Sequence, residues 1–477
     1  VVIFLVCVLI YGVSIFGGFI QDDRKVILAD PTLGNIESLL EAWISPYYKG
    51  NPESGAYRPL TSFSLALDSI ILGKSAWGYR MMNIIFYGLV CIGVYELSRR
   101  VFRSDKWGFW VGLLFAVLPI HTEAVSNIVG RGELLAGGLV IWMLVMAMEK
   151  KWGWSMWLYF LAVFSKESAI VWAVPLVWLT FQSKLQKDKL VGIVMIMTMG
   201  LIAYFAFRLG ILGSDIFSDN ATLVENPLKF VGHSQRVMAG IGLVAYGISK
   251  TLFPIQLSYD YSFDQLGGGN LSKAWLMIGL GVILLSIFLM RKRKAELSWG
   301  LLFLWLPLIV TGNIIKPIGT IFGERLWLLP SLGVLYICVW LIRQIKFRWI
   351  ELVLWLVVVL LGVRSFVRNI DWLGENRLFV KDGAYSTGSV LTQSNVAAVY
   401  LMEGRPDEAR IYLEKASSIY PEYPYLMNNW GIYYWQKEDL KSAKEMLEKC
   451  IEVHPQNALC TGNLGDLERV DAQIKTL

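Results

Sequence analysis

Charge is scarce in this chain. Only 17% of its 477 residues are Asp, Glu, Lys or Arg. That excludes a disordered polyelectrolyte and most soluble domains, which need more charge to cover their surface. Histidine is scarcer still, with three residues, and the five cysteines form no CxxC pair and no cluster with histidine. A zinc site is therefore excluded at the level of spacing, and no metal is assigned. Phosphate-cradling loops are missing too: no GxxxxGK[ST] occurs, and no GxGxxG follows a strand, so nothing points to nucleotide use.

What the chain has instead is apolar residues, 55% of the total. They gather in runs of about twenty, the length of a bilayer-spanning helix. The expected class is all-α: a polytopic membrane domain followed by a small polar tail. The basic residues cluster between the runs, as in Arg99, Arg100, Arg103 and Lys106, and again in Arg291–Lys294. Short basic loops of this kind read as cytoplasmic anchors, and no nucleic-acid partner is implied. Cys7, Cys91 and Cys338 lie inside apolar runs, where cysteine acts as a small hydrophobe. Cys450 and Cys460 lie in the tail, and the spacing leaves their pairing open.

Eleven spans are expected: Val1–Phe19, Tyr79–Ser98, Trp107–Ile120, Glu133–Met148, Trp154–Phe164, Ser168–Gln182, Leu190–Arg208, Lys273–Met290, Trp299–Val310, Leu326–Ile342 and Trp349–Val367. The first lacks a basic flank and a small-residue cleavage site, so it reads as a retained helix rather than a signal peptide. Val237–Pro254 is apolar but contains Lys250. Placing Arg99–Lys106, Glu149–Lys151, Lys184–Lys189, Arg291–Lys294 and Lys346–Arg348 on one side requires that this segment does not cross. It is then interfacial or re-entrant, and the tail lies outside.

Beyond Val367 the composition changes, and a period of 34 appears. Tyr400 matches Tyr434, Ala409 matches Ala443, Leu413 matches Leu447, and Pro421 matches Pro455. Ala397, Gly431 and Gly465 share a small-residue position. This is a tetratricopeptide register of two helices per repeat. The expected division is a membrane domain at 1–368, a connector at 369–388, and repeats at 389–477, two full and a third begun. So short an array is expected either to lean on the membrane domain or to be the truncated start of a longer one.

The ionisable residues at the span ends are not evenly distributed. Asp22, Asp23, His121, Glu123, Arg131, Glu133, Lys166, Glu167, Glu324 and Arg325 all fall on one face, with Arg58 in the long first loop. Any one of them suits a solvated helix end or a salt-bridged anchor; their coincidence points to a site. A carboxylate there can deprotonate a hydroxyl, while Arg and Lys hold a phosphate as it leaves. Apolar grooves between helices can hold a lipid tail. The chemistry described is transfer of a group from a lipid phosphate to an acceptor outside.

Specific motifs then carry a resemblance. Asp22-Asp23 follows the first span, and Tyr57-Arg58-Pro59-Leu60 and Trp77-Gly78-Tyr79 with Asn83 come next. His121-Thr122-Glu123-Ala124-Val125, Gly130-Arg131-Gly132-Glu133 and Ser165-Lys166-Glu167 follow in order. Phe253-Pro254 with Leu257-Ser258, Glu324-Arg325 with Leu329-Pro330-Ser331-Leu332-Gly333, and Arg368-Asn369 with Asp371-Trp372 complete the set. In this order they resemble the transmembrane and tetratricopeptide-repeat-containing O-mannosyltransferases, of the GT-C glycosyltransferase superfamily.

The resemblance implies a GT-C-type helical domain and a sugar, typically mannose, moved from a polyprenyl- or dolichyl-phosphate donor to Ser or Thr hydroxyls with inversion. It implies Asp22 or Asp23 as general base, with Asp23 alternatively orienting acceptor or donor, Glu123 as the catalytic site's second acidic position, and Arg131, Arg325 and Lys166 on the donor phosphate. Arg58, His121, Glu133, Glu167 and Glu324 are further site candidates. A divalent cation is compatible with two adjacent aspartates near a phosphate, though a base role needs none. The partners are the lipid-linked sugar, membrane lipid and an acceptor polypeptide engaged by the repeats. Animal members carry longer arrays and usually a His where this chain has Arg80 or Tyr87. The implied setting is a bacterial or archaeal cytoplasmic membrane, with site and repeats extracytoplasmic, or the endoplasmic reticulum in a eukaryote. Two other functions fit the same residues: a non-catalytic scaffold recruiting partners through its repeats, and a GT-C enzyme acting on a lipid or glycan.

Overall fold

The computed structural model describes residues 1–50, 52–183, 187–217, 221–267 and 272–476, so part of the expected Lys184–Lys189 basic loop lies outside the described residues. Among the described residues every regular element is helical. Six helices are long and apolar enough to cross a membrane: Ala76–Val101, Ile128–Met148, Asp188–Asp215, Lys273–Met290, Glu324–Arg343 and Ile350–Asp371. A seventh arises if Asp105–Ala116 and Pro119–Ser126, bent by 55°, count as one span. Eleven spans are therefore not reached. Val2–Phe16, Glu167–Gln182 and Ala295–Thr311 are apolar but shorter, and Trp152–Ser165 has 14 residues. At 1.5 Å per residue such helices fall short of a ~30 Å hydrocarbon core.

The bundle has a basic end and a mixed polar end. At the basic end ion pairs join neighbouring helix termini. Arg100 pairs with Glu149, Lys106 with Glu351, and Arg343 Nη1 with Glu296 Oε1 at 3.0 Å. Arg100, Lys106 and Arg343 thus meet carboxylates on other helices. Between the ends, small residues let helices approach closely, as in membrane bundles generally. A Cβ on Gly333 would lie 2.5 Å from the Gly300 carbonyl oxygen, so Ala295–Thr311 and Leu328–Arg343 cross backbone against backbone. Trp172 and Tyr336 close on Phe303 in the core there, with ring centroids at 4.9 and 5.8 Å.

Val237–Pro254 forms most of a helix at His233–Leu252. Near its start, Arg236 Nη2 donates to the Ile315 carbonyl at 3.4 Å. Just past its end, Arg364 Nε donates to the Pro254 carbonyl at 3.1 Å. Gly247 sits on the Trp327 ring. These partners all flank the polar ends of their own helices, so this helix lies along that end of the bundle.

The repeats are the helix pairs Val390–Met402 with Pro406–Ile419 and Pro424–Gln436 with Leu440–Val453, then Ala458–Thr476. Proline opens the second and third of these helices, where its missing N–H costs no bond. Gly431 packs against Leu447, and a disulfide joins Cys450 to Cys460. The array and the connector ahead of it are docked on the bundle through two carboxylates. Asp260 Oδ2 accepts from Ser389 Oγ at 2.5 Å and Thr392 Oγ1 at 3.0 Å. Asp382 accepts both arms of Arg368, at 2.6 and 2.9 Å, and the Tyr259 N–H at 2.7 Å. The expected leaning of the tail on the membrane domain is present.

Candidate active site

A cleft of about 430 Å³ opens at the polar end. Asp22, Arg58, Glu133, Lys166, Glu167 and Arg325 all line it, with Lys25, Tyr48, Arg208, Glu225 and Lys316. These come from the first long loop, three helix starts and two later loops, so tertiary folding alone brings them together. Six basic side chains face four carboxylates, a balance that favours an anion.

The first apolar helix ends at Phe16, and the next residue is Gly17 because the Arg80 guanidinium occupies the space a side chain would need. Beyond it the adjacent aspartates separate. Asp23 turns inward and has no exposed surface. Its Oδ2 accepts the Ile20 N–H at 3.2 Å, and its Oδ1 accepts the Val129 N–H at 3.1 Å. Burial pushes its pKa up to about 7, against the Arg80 charge and those two N–H groups. Asp22 faces the cleft. Lys25 Nζ lies 3.2 Å from its Oδ1, and Tyr48 Oη donates to its Oδ2 at 3.4 Å. The loop is held from behind by Glu375, which accepts the Gln21 N–H at 3.1 Å and pairs with Arg24 at 2.7 Å.

Three of the cations in the cleft, Arg325, Arg58 and Lys166, are aimed by a carboxylate. Glu123 is buried and takes the Arg325 N–H at 2.9 Å and Nη1 at 2.7 Å. The Arg325 side chain remains 31% exposed, so it is both anchored and open to the cleft. Arg58 and Glu167 form a two-pronged fork, at 3.1 and 2.7 Å. Burial holds the Arg58 pKa down, but the Glu167 pair more than offsets it and the net shift is upward. Lys166 pairs with Glu133; burial lowers its pKa while Glu133 opposes the change.

The other predicted residues sit behind this surface. Arg131 is wholly buried, paired with Asp68, and donates Nε to Asn83 Oδ1 and Nη2 to the Tyr79 carbonyl, both at 2.8 Å. His121 bonds Tyr87 Oη at 2.7 Å and Ser331 Oγ at 2.8 Å, with no exposed surface. Glu324 accepts the Ser258 N–H at 2.7 Å and Tyr261 Oη at 2.6 Å. Sequence reasoning passed over Lys25, Tyr48, Arg208, Glu225 and Lys316. Only Lys25, two residues beyond the aspartates, had a local signal.

A narrow apolar crevice continues from the cleft into the bundle, sharing Glu133, Ser168, Thr311 and Leu326 with it. Ala136, Gly137, Val140, Trp172, Pro307 and Leu329 line its length. Anion-binding cations, a cleft-facing carboxylate and an apolar passage thus lie in sequence from solvent to bundle interior. Such a site can hold a charged headgroup and take a proton from a hydroxyl. Among the described residues no group of three or more His, Cys, Asp or Glu could hold a metal ion.

The chain is similar to known proteins over most of its length. The tetratricopeptide repeat family matches residues 388–456. The human protein O-mannosyl-transferase TMTC1 is 25% identical over 499 aligned residues, which take in 89% of this chain and 55% of the relative. The human protein O-mannosyl-transferase TMTC3 is 24% identical over 497, taking in 94% and 54%. The Caenorhabditis elegans protein O-mannosyl-transferase F38B6.6 is 23% identical over 403, taking in 80% and 56%. The chain spans about half the length of the curated relatives it matches. The resemblance carried by the motifs thus extends over most of this chain, through both the membrane helices and the repeats.

Proposed function

We propose that this chain is an integral-membrane glycosyltransferase that moves a sugar from a polyprenyl-phosphate donor to a Ser or Thr hydroxyl of a polypeptide. Mannose is the sugar its relatives' names support. The observation that carries the reading is the cleft itself. Asp22 faces Arg325 and Lys166 across one opening, and an apolar crevice leads away from it.

In this reading the acceptor hydroxyl gives its proton to Asp22 as its oxygen bonds to the sugar's anomeric carbon. The bond from that carbon to the phosphate oxygen breaks on the opposite side, which inverts the configuration. The electron pair leaves on the lipid phosphate, where Arg325 and Lys166 offset the charge. Asp23 holds the loop, and Glu123 aims Arg325. Arg131 supports the site from beneath through Asp68 and Asn83, so the donor phosphate is assigned to the cleft-facing cations. The repeats present the acceptor.

Two features support an extracytoplasmic site. The basic helix ends lie opposite the cleft, as the positive-inside tendency requires. A disulfide joins Cys450 and Cys460 in the repeats, and such bonds persist in oxidising compartments.

The test is sugar transfer in membranes containing the full chain, given radiolabelled polyprenyl-phosphate mannose. Labelled polypeptide with wild type and none with Asp22→Asn supports the reading. Equal labelling by both overturns the base assignment, and labelled lipid or glycan without labelled protein overturns the acceptor class.

A further inference from the structure

One wall of the cleft is built by Lys316, Ile318, Gly319 and Thr320, in the loop that follows Ala295–Thr311. That loop is folded by two buried asparagines. Asn313 sits at φ 57°, in the left-handed region that asparagine tolerates. Its Nδ2 donates to the Thr320 and Ile321 carbonyls at 3.1 and 3.0 Å, and its Oδ1 accepts the Ile318 N–H at 2.9 Å. Asn226, far away in sequence and wholly buried, donates Nδ2 to Asn313 Oδ1 at 2.9 Å and to the Ile318 carbonyl at 2.5 Å. Buried amides saturated in this way fix a loop in one shape, because breaking any bond strands a polar group.

Asn226 belongs to a turn with two further attachments. Glu225 faces the cleft, and its carboxylate takes the Thr222 N–H at 2.8 Å. Val224 points the other way and is 4% exposed, packed in one cluster with Val390, Tyr423 and Leu426 of the repeats. The Val224 carbonyl accepts the Phe263 N–H at 2.9 Å, and the Phe263 carbonyl accepts the Val390 N–H at 2.9 Å. Three successive residues thus touch the repeats, the cleft and the cleft-wall loop.

We propose that Asn226 and Asn313 are positioning residues that set the cleft wall, and that the 222–228 turn passes the seating of the repeats on to that wall. The proposal rests on the glycosyltransferase reading for its kinetic consequence, but its structural consequence stands apart. A chain whose repeats shift, as when they take up a polypeptide, changes the seat of Val224 and with it the clasp on Ile318 and Thr320. The wall carries Lys316 and borders Arg325, so the donor's binding responds first.

Two variants of the full chain test this, each read two ways. Asn226→Asp keeps the Oδ1 acceptor that caps the Leu228 N–H but removes the donated bonds. Val224→Ala trims the repeat-facing side chain without touching the clasp. Amide exchange across 313–321 is expected to rise about tenfold in both. The KM for polyprenyl-phosphate mannose is expected to rise severalfold while kcat stays within about twofold. Unchanged exchange in Asn226→Asp overturns the clasp. A change in Asn226→Asp with none in Val224→Ala overturns the link to the repeats. A wild-type chain that transfers no sugar defeats the proposed function alone, and the exchange arms still decide this inference.

Discussion

Glu123 grips Arg325 at two points, its Oε1 on the guanidinium at 2.7 Å and its Oε2 on the backbone N–H at 2.9 Å. The second bond fixes where the short helix at Glu324–Trp327 begins, and the first fixes where the arginine points. Glu123→Gln keeps the shape but removes the charge and turns one acceptor into a donor facing an N–H. The expected outcome is a rise of about tenfold in KM for the lipid-linked sugar, because charge-assisted bonds are worth roughly 1.5–3 kcal/mol and only part is lost. Steady-state kinetics in membranes measures it. A fall in kcat with KM unchanged contradicts a positioning role.

The aspartate pair separates by function. Asp22→Asn is expected to cut turnover by about 10²–10⁴-fold, the contribution of a positioned base, while donor binding persists. Asp23→Asn is expected to act on stability instead. An amide oxygen can accept from Ile20 or Val129, but the NH₂ faces an N–H in the second position, costing about 1–3 kcal/mol. Thermal unfolding alongside turnover distinguishes the two.

Asp23 also predicts a pH dependence. Its folded pKa, about 7, lies above its ordinary value of 3.8, so the folded state holds the proton more tightly than the unfolded chain. That contribution to stability is complete below about 4, declines as pH rises to about 7, and is then gone. The melting temperature of wild type is expected to fall relative to Asp23→Asn across this interval. A difference between the two proteins that does not change from pH 4 to pH 7 counts against the buried, raised carboxyl.

Arg131 behaves differently from Arg325. Its guanidinium is enclosed and paired with Asp68. Asp68→Asn strands a buried charge, at a cost of about 3–5 kcal/mol. Loss of folded protein is expected, seen as poor recovery in detergent, whereas Arg325→Lys, which keeps a cation against the buried Glu123, leaves folding intact and weakens donor binding. Full recovery of Asp68→Asn with selective loss of donor affinity reverses this assignment.

Reduction of Cys450–Cys460 is expected to loosen the last repeat helix alone. A short closed loop contributes about 3 kcal/mol through the unfolded chain. Amide exchange in Ala458–Thr476 rises on reduction, while exchange at Val129 and Ile318 stays constant. A simultaneous change at the cleft contradicts a local role.

Much of this was readable from pattern. The apolar runs announce the bundle, and the period of 34 announces the repeats, because both are repetitive signals spread over many residues. The gathering of charge on one face follows from alternating basic loops. Direction was not readable. Asp22 and Asp23 are chemically identical and adjacent, and the inward one is distinguished by distant partners such as the Val129 N–H, more than a hundred residues away. Arg131 looks like any helix-start arginine until Asp68 and Asn83 enclose it. Asn226 and Asn313 carry no sequence signal, since a buried amide's value lies in partners brought by tertiary folding. Helix ends differed from the apolar runs at two places: the first run leaves its helix at Phe16, before Gly17, and the Trp107–Ile120 run breaks between Ala116 and Pro119.

The repeats are fastened to the bundle by the hydroxyl contacts of Asp260 with Ser389 and Thr392, and the connector ahead of them by the enclosed pair of Arg368 with Asp382. They do not swing on a tether, and a bound polypeptide shifts them only within that seat. A polypeptide gripped by them would meet the cleft at a set interval along its own chain, as cloth meets the needle of a fixed sewing head. Which serine or threonine receives the sugar would then be decided by counting residues from the grip, rather than by the local sequence around the hydroxyl.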